Sequence, residues 1–237
     1  MSKAETVILA SREELVEAAA KMITQKLSAM SNSSKEFHLA LTGGTVGTLT
    51  LEALADKTKS MDLSRLHIWW VDERYVPRNS AERNELQARN AWLSSSDVQE
   101  TNIHAFPADE TNSIEDSARS FASQIESIDP KFDLVLLGMG EDGHVASLFP
   151  GSTAAAFGEW VIVEKNSPKP PRLRLSLSMK AINSSREVFF LVSGSEKAQA
   201  VSDVISGVGN LPAQSVSGMK KTLWLLDEDA ASMLISF

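Results

Sequence analysis

The chain has 237 residues, of which 43% are hydrophobic and 23% charged, and its 31 acidic and 23 basic side chains give a formal net charge of −8. This globular composition excludes disordered, collagen-like and low-complexity architectures, and a negative chain without a run of Lys or Arg argues against a general nucleic-acid binder. The absence of Cys excludes disulfides, thiolate zinc sites, iron–sulfur clusters and a cysteine nucleophile.

In the first half of the chain, short apolar runs alternate with amphipathic segments. The apolar runs predict strands over Val7–Leu9, His38–Leu41, Leu66–Val71 and Ile103–Phe106. The segments between them predict four helices. The first begins after Ser11, with Glu14 at capping-box spacing, and continues to about Leu27. The others are a helix through Leu49–Leu54, a polar helix over about Glu82–Leu93, and a helix that is capped by Ser113 and ends near Ile128.

The second half of the chain continues the alternation. Its apolar runs predict strands over Phe132–Leu137, Trp160–Val163, Leu173–Leu177, Val188–Val192 and Leu223–Leu226. One helix is expected from Gly194 to about Ile205, and a terminal helix is expected after Asp227. Because strands that alternate with helices form βαβ units, we expect an α/β fold with a mostly parallel sheet and helices on both faces.

Neither linkers nor membrane segments are predicted. The Pro-rich segment Ser167–Pro171 is too short for a linker, and the sequence has no internal repeat, so residues 1–237 are expected to form a single domain. The N-terminal stretch Met1–Thr6 lacks a basic segment followed by an apolar one, and no apolar run approaches the roughly 18 residues of a membrane helix. We therefore expect a soluble cytoplasmic protein.

Polar and Gly-rich residues follow four of the predicted strands, where ligands bind in open parallel sheets. One of these segments, Thr42–Thr45, lies between a strand and the start of a helix. Free backbone N–H groups and the helix dipole make such a position an anion site, although a glycine turn capped by Thr45 explains it equally well. The Walker spacing for ATP or GTP is absent.

A second segment, Gly138–Gly143, matches the pattern G-x-G-x-x-G after a strand, and Glu164 follows about twenty residues later. This spacing is formally that of a dinucleotide-binding fingerprint. Pro150, however, limits any helix that begins at His144 to six residues, whereas a dinucleotide-binding crossover needs a full helix. The sequence therefore argues against a dinucleotide site.

His144 is the histidine with the clearest catalytic context. The other three histidines lie in or beside apolar strand segments, whereas His144 follows Asp142-Gly143 in a loop after a strand. An imidazole there can take a proton near neutral pH, and Asp142 or Glu141 could orient it. Catalytic and structural roles both remain open at this point. No paired His–carboxylate spacing suggests a metal site, and no G-x-S-x-G motif suggests an acyl-serine route.

Four cations are candidates for contacts to an anionic ligand, although each one taken alone is more often a solvated surface cation. They are Arg74, Arg172, Arg174 and Lys197. Lys197 is placed in the first turn of its predicted helix, where the macrodipole disfavours a cation. A bound anion would relieve that conflict.

Taken together, these segments resemble the 6-phosphogluconolactonase family. The matching segments, in the family's order, are LTGGT, WWVDERYVP with Asn84 following, DLVLLGMGEDGHVASLFPG, PPRLRLSLS, VSGSEKAQAV and LPAQSV…WLLD. They span about Leu39 to Asp227, and DGH-x-ASLFPG is the most specific of them. The resemblance implies a cytosolic enzyme of the oxidative pentose phosphate pathway that hydrolyses 6-phospho-D-glucono-1,5-lactone to 6-phosphogluconate. It also implies a Rossmann-like fold and no metal or organic cofactor.

The resemblance also assigns roles to single residues. His144 resembles the catalytic histidine, with Asp142 beside it, and Arg74 resembles a substrate-site arginine in the motif that also contains Asp72. The residues that resemble the phosphate-binding set are Gly43, Gly44, Thr45, Arg174 and Lys197. We expect His144 to act as general base on water, Arg74 and loop amides to stabilise the oxyanion, and the phosphate-binding set to hold the substrate.

Two other functions remain as alternatives. The first is deamination and isomerisation of an amino-sugar phosphate, which would use Asp72 as the base; the deaminase pattern has Tyr and Asn-Glu-Pro-Gly where this chain has Arg74 and Leu148–Gly151. The second is a non-catalytic phosphosugar sensor, which needs a partner domain or a lost catalytic residue. The sequence leaves open whether the protein is a monomer or a dimer.

Overall fold

The computed structural model describes residues 4–110 and 112–234. The first three residues of Met1–Thr6, on which the expectation of no targeting signal partly rests, lie outside this range. Within it, no helix combines the length and the apolar composition needed to cross a membrane.

The described residues form ten strands and seven α-helices. The strands are β1 (Glu5–Leu9), β2 (Phe37–Leu41), β3 (Leu66–Trp70), β4 (Asp72–Arg74), β5 (Phe132–Leu137), β6 (Ala155–Phe157), β7 (Val161–Glu164), β8 (Arg174–Leu177), β9 (Glu187–Val192) and β10 (Lys221–Asp227). The helices are α1 (Arg12–Ser31), α2 (Gly44–Thr58), α3 (Asn84–Ala91), α4 (Ile114–Ile128), α5 (Met179–Asn183), α6 (Ala198–Ser206) and α7 (Glu228–Ala231).

Six strands form a parallel sheet in the order β1-β10-β9-β5-β2-β3. The chain moves from β2 outward to β3 through α2, and from β3 back to β5 through α4. Because such crossovers are right-handed, connections that run in opposite directions put their helices on opposite faces of the sheet. The predicted α/β class with a mostly parallel sheet is therefore confirmed.

The same topology fixes the position of the ligand site. The connection after β2 runs towards one edge of the sheet, and the connection after β5 runs towards the other. Between these neighbouring strands lies a topological switch point, where the loops diverge and leave a crevice at the carboxyl ends. Gly43 and Gly138 follow these two strands.

A second, antiparallel sheet has the order β4-β8-β7-β6. The sequence predicted β7 and β8 as strands but not this separate sheet, and β4, β6 and α5 were not predicted. In β4, Asp72 pairs with Ser176 and Arg74 with Arg174. A charged three-residue strand carries no apolar periodicity, so only its pairing with β8 reveals it.

The predicted strand Ile103–Phe106 is wrong as a regular strand. Ile103 makes one isolated bridge to Ile68 of β3, and the backbone N–H of His104 donates to the carbonyl of Ile68 at 2.8 Å. The carbonyl of Phe106 instead accepts a hydrogen bond from the buried guanidinium of Arg83. The apolar run reflects burial against the edge of β3, and burial alone does not require a ladder.

The hydrophobic core lies on both faces of the parallel sheet. Five of the six residues of β5 are buried, which is typical of a strand covered on both sides. Large aromatic side chains fill the space between the strands and helices; the rings of Phe190 and Trp224 stack with centroids 3.7 Å apart. This packing holds the carboxyl ends of the strands rigidly in place.

Candidate active site

A cavity of about 330 Å³ opens at the switch point. It brings together most of the site residues that were predicted from the sequence, and these come from five separate segments of the chain. The predicted residues that line it are Gly43, Gly44, Asp72, Arg74, His144, Arg174 and Lys197. Asp142 contacts His144 from outside the lining, and Thr45 lines a neighbouring cavity.

The loop after β5 presents His144 to this cavity. Nδ1 of His144 lies 2.5 Å from Oδ1 of Asp142, and the backbone N–H of His144 donates to the same oxygen at 3.2 Å. Gly140 and Gly143 make the turn possible: a Cβ on Gly140 would lie 2.0 Å from Nδ1 of His144, and Gly143 has φ +72°. Asp142, and not Glu141, is therefore the residue that orients the imidazole.

The contact with Asp142 also determines which nitrogen of the His144 imidazole carries the proton. Although burial acts to raise the pKa of Asp142, the hydrogen bond and the charge of His144 lower it below its ordinary value. An ionised Asp142 accepts a hydrogen bond from Nδ1–H, so that in the neutral imidazole the lone pair lies on Nε2. The ring of Phe149 packs at 4.6 Å from the imidazole, between centroids, and limits its rotation.

The residues after Gly143 do not form the helix that a dinucleotide site requires. Within the described residues 144–151, the backbone forms turns, with one isolated bridge between Val145 and Leu148. The segment Gly138–Gly143, which matches G-x-G-x-x-G, therefore forms a tight loop that positions His144.

Asp72 is held at the cavity wall by contacts from three segments. Its carboxylate accepts a hydrogen bond from Ser147 Oγ at 2.7 Å, and it lies 4.0 Å from the guanidinium of Arg174. Nδ2 of Asn84 donates to the carbonyl of Asp72 at 2.9 Å and to its Oδ1 at 3.3 Å. Ser147 and Asn84 were given no role from the sequence, because a single polar side chain in a turn or at the start of a helix carries no periodic signal.

Glu73, the next residue, organises the loop beneath the site. Its carboxylate accepts backbone N–H groups of Arg74, Asn84 and Glu85 at 2.7–2.9 Å. Burial raises the pKa of Glu73, and the charge of Arg83 at 3.6 Å together with these amides opposes that rise. Arg74 donates from Nη1 to the carbonyl of Glu82 at 2.5 Å, which anchors it at the edge of the cavity.

Arg174 and Arg172 differ in their surroundings. Arg174 is only 6% exposed and donates to the carbonyls of Pro171 at 2.7 Å and Lys169 at 3.1 Å. Burial lowers the pKa of its guanidinium. Arg172 is exposed, in contrast. Arg174 therefore ties the loop that carries Lys169 to the cavity. Lys169 also lines the cavity, although no pattern in the sequence indicated it.

The segment Gly43–Thr45 begins α2 as predicted. Gly43 is the N-cap and provides no side-chain cap to the first turn of the helix, and Gly44 has φ +81°. Orphan N–H groups at such a terminus favour an anion. The space is tight, because a Cβ on Gly43 would lie 2.1 Å from Oδ1 of Asn84. Glycine at position 43 is therefore a steric requirement.

A second cavity of about 360 Å³ adjoins the first on the side of α2. Thr45 and Arg12 line this cavity, whereas His144 lines the first. Six residues line both: Gly43, Gly44, Gly138, Met139, Lys169 and Lys197. Lys197 ends a short 3-10 turn, Ser195–Lys197, directly before α6. The junction of the two cavities thus combines glycine backbone with two lysines.

One cluster with metal-ligand chemistry lies at the amino ends of β2 and β3, away from the cavities. The ligand atoms of Glu36, His38 and His67 lie within 4.8 Å of one another. Nε1 of Trp69 donates to Nδ1 of His38 at 3.1 Å. Since indole is only a donor, neutral His38 carries its proton on Nε2 and offers no lone pair there. This hydrogen bond opposes a metal at the cluster.

Comparisons with known proteins agree with the geometry. A family model described as glucosamine-6-phosphate isomerases/6-phosphogluconolactonase matches residues 10–224. The 6-phosphogluconolactonase of Mycobacterium leprae is 37% identical over 239 residues, which cover 96% of this chain and 97% of that protein. The structure of 6-phosphogluconolactonase from Trypanosoma cruzi matches with a TM-score of 0.87 at 27% identity, covering 100% of this chain and 99% of that one.

The structure of a monomeric glucosamine-6-phosphate deaminase also matches, with a TM-score of 0.82 at 20% identity, and it covers 97% of this chain and 99% of that one. At this identity the likeness establishes a common fold and says nothing of activity. The near-full-length match to the family model and the relative at 37% identity are decisive for the family. As the sequence resemblance predicted, the chain belongs to the family of glucosamine-6-phosphate isomerases and 6-phosphogluconolactonases.

Proposed function

We propose that the protein is a 6-phosphogluconolactonase, which hydrolyses 6-phospho-D-glucono-1,5-lactone to 6-phospho-D-gluconate as a step of the oxidative pentose phosphate pathway. The observation that carries this proposal is the pair Asp142–His144, 2.5 Å apart, whose imidazole lines the same cavity as Arg74, Arg174 and Lys197. The relative from Mycobacterium leprae carries the name 6-phosphogluconolactonase, which supports this lactone as the substrate.

His144 acts as general base in this proposal. While Asp142 accepts the hydrogen bond from Nδ1–H, Nε2 takes a proton from water as the water oxygen attacks the lactone carbonyl carbon. The resulting tetrahedral intermediate collapses by breaking the bond from that carbon to the ring oxygen. The ring oxygen takes the proton back from Nε2 and becomes a hydroxyl group, so that the imidazole returns to its neutral state.

Arg74 stabilises the negative charge that develops on the carbonyl oxygen. Its Nη1 is anchored on the carbonyl of Glu82, and the side chain lines the same cavity as His144. Backbone N–H groups of the loop after β5 are the second source of donors. One well-placed donor of this kind contributes about 3 kcal/mol to a transition state.

The phosphate binds at the junction of the two cavities. The N–H groups at the start of α2 and the ammonium of Lys197 meet there, and Arg174 holds the facing loop. Thr45 adds a hydroxyl from the side of the second cavity. Binding energy at this remote group positions the lactone carbon at His144.

Deamination of an amino-sugar phosphate is the alternative reaction, and it would use Asp72 as the base. In this structure the Asp72 carboxylate accepts hydrogen bonds from Ser147 and Asn84 and lies 4.0 Å from Arg174, contacts that favour a fixed positioning group over a mobile base. A non-catalytic sensor is disfavoured by the intact pair Asp142–His144.

Four expectations remain predictions from the sequence. They are cytoplasmic location, a single domain over residues 1–237, independence of metals and organic cofactors, and a monomeric or dimeric state.

The proposal is tested by measuring lactone hydrolysis with the wild type and with His144→Ala. Fresh 6-phosphogluconolactone is supplied, its product is coupled to 6-phosphogluconate dehydrogenase, and the spontaneous rate is subtracted. We expect the wild type to exceed the blank and the variant, folded by circular dichroism, to lose at least about 10²-fold in rate. A wild type equal to the blank contradicts the lactonase, and an active variant contradicts the base.

A further inference from the structure

Lys169 is the second ammonium group at the junction of the two cavities. It lies in the loop between β7 and β8, and its backbone carbonyl accepts hydrogen bonds from Nη2 of Arg174 at 3.1 Å and from Ser167 Oγ at 2.9 Å. Two buried donor residues therefore fix the backbone at this position. Like Lys197, Lys169 lines both cavities.

Glu141 occupies the space between the two lysines. Its Oε1 lies 3.6 Å from Nζ of Lys169 and 3.8 Å from Nζ of Lys197. One carboxylate oxygen is thus shared by two ammonium groups from different parts of the chain. Both distances exceed those of direct hydrogen bonds, so the contact is a loose ionic one.

A phosphate satisfies the two lysines better than this carboxylate does. It carries up to two negative charges and accepts hydrogen bonds from several directions, and the start of α2 supplies further donors beside it. The side chains of Glu141 and Lys169 are 57% and 63% exposed, so that Glu141 can leave the junction at little cost.

We infer that Lys169 is a second phosphate-binding lysine and that Glu141 is an internal carboxylate that competes with the substrate phosphate for Lys169 and Lys197. This inference rests on the proposed function, because it assumes the phosphate site at the junction. Before binding, Glu141 neutralises part of the positive charge; on binding, the phosphate displaces it. The affinity of the site is therefore lower than its cations alone would give.

The experiment measures the dissociation constant of 6-phosphogluconate, the expected product, by isothermal titration calorimetry, with D-gluconate as the probe without phosphate. Glu141→Gln is expected to bind 6-phosphogluconate about two- to fivefold more tightly than the wild type, and Lys169→Met about threefold or more weakly. In Lys169→Met, the further change Glu141→Gln is expected to have a smaller effect than in the wild type, because one of its two partners is gone.

Two controls change the same charges elsewhere. Glu52→Gln and Lys35→Met alter exposed residues that do not line either cavity, and both should leave the affinity within about 1.5-fold. An unchanged affinity in Glu141→Gln or Lys169→Met overturns the inference, as does an equal gain in Glu52→Gln.

Lactone hydrolysis by the same wild-type sample separates this inference from the proposed function. Active enzyme whose Glu141→Gln and Lys169→Met variants bind like the wild type overturns the inference alone. Wild type that neither binds 6-phosphogluconate nor hydrolyses the lactone overturns both.

Discussion

Asp142 Oδ1 lies 2.5 Å from Nδ1 of His144, two residues further along the same loop. The contact is local, but the space for it is not: Gly140 must lack a Cβ for the imidazole to lie across the turn. Because the contact lies within one loop, the role of Asp142 can be tested by removing its charge with an amide of the same shape, without moving the backbone.

Asp142→Asn is expected to lower kcat by at least about 10²-fold, because the amide no longer holds the Nδ1 proton against a negative charge and allows the wrong tautomer. The substrate is gripped elsewhere, so KM should change less than kcat. Steady-state hydrolysis of the lactone checks this. Asp97→Asn, a change at an exposed residue, is the control, and a kcat for Asp142→Asn equal to that of the control contradicts the assignment.

Arg174→Met is expected to lower kcat/KM by at least about tenfold and to lower the melting temperature. It removes hydrogen bonds to the carbonyls of Lys169 and Pro171 and leaves these carbonyls with one donor fewer. The neighbouring Arg172→Met is the matched control, since Arg172 is exposed, and we expect near-wild-type values for it. Equal losses of kcat/KM and melting temperature in the two variants would contradict a specific role of the buried Arg174.

Gly43→Ala is expected to destabilise the fold by about 1–3 kcal/mol, since the new methyl group would lie 2.1 Å from Oδ1 of Asn84. Displacement of Asn84 also removes its hydrogen bond to Asp72, so substrate affinity should fall as well. Chemical denaturation measures the first effect. Gly138→Ala is the control for stability, because its Cβ would meet Oγ1 of Thr42 at an ordinary 3.7 Å.

The reciprocal change separates the clash from a general intolerance of position 43. In the double variant Gly43→Ala with Asn84→Ala, the obstructing amide is absent. The free energy of unfolding should then exceed the value expected from adding the two single effects. Strict additivity would contradict the steric explanation.

The buried histidines predict a loss of stability in mild acid. Burial, together with the neighbouring His67, lowers the pKa of both His38 and His104 to about 4. In the unfolded chain these groups have pKa values near 6.5, so between pH 6.5 and 4 the unfolded state binds more protons. Folding stability therefore falls as the pH is lowered through this window, by on the order of 1–3 kcal/mol for each group.

Urea unfolding at several pH values measures this slope. His104→Gln should lower stability near neutral pH, because His104 stacks on Trp69 at 4.0 Å, but should flatten the dependence between pH 6.5 and 4. Phe121→Leu, which weakens packing against the same Trp69 without a titrating group, should keep the wild-type slope. A His104→Gln slope as steep as that of the wild type refutes the link to His104.

Local pattern was a good guide to single elements. Ser11 and Ser113 cap α1 and α4 as their spacing predicted, because a cap depends on residues three positions apart. The predicted strand Phe132–Leu137 is β5, with the same first and last residues. Ile103–Phe106 failed as a strand because an apolar run records burial and not hydrogen-bond pairing.

The sequence by itself determined the alternation of strands and helices, the loops that carry Gly43 and His144, and the family resemblance, because each depends on residues a few positions apart. Only the tertiary structure decided the second sheet, the contact of Asp72 with Ser147 across 75 positions, and the meeting of Glu141 with Lys169 and Lys197. The physical reason is that such contacts require the packing of the whole sheet to bring distant loops to one edge, and no local periodicity encodes that convergence.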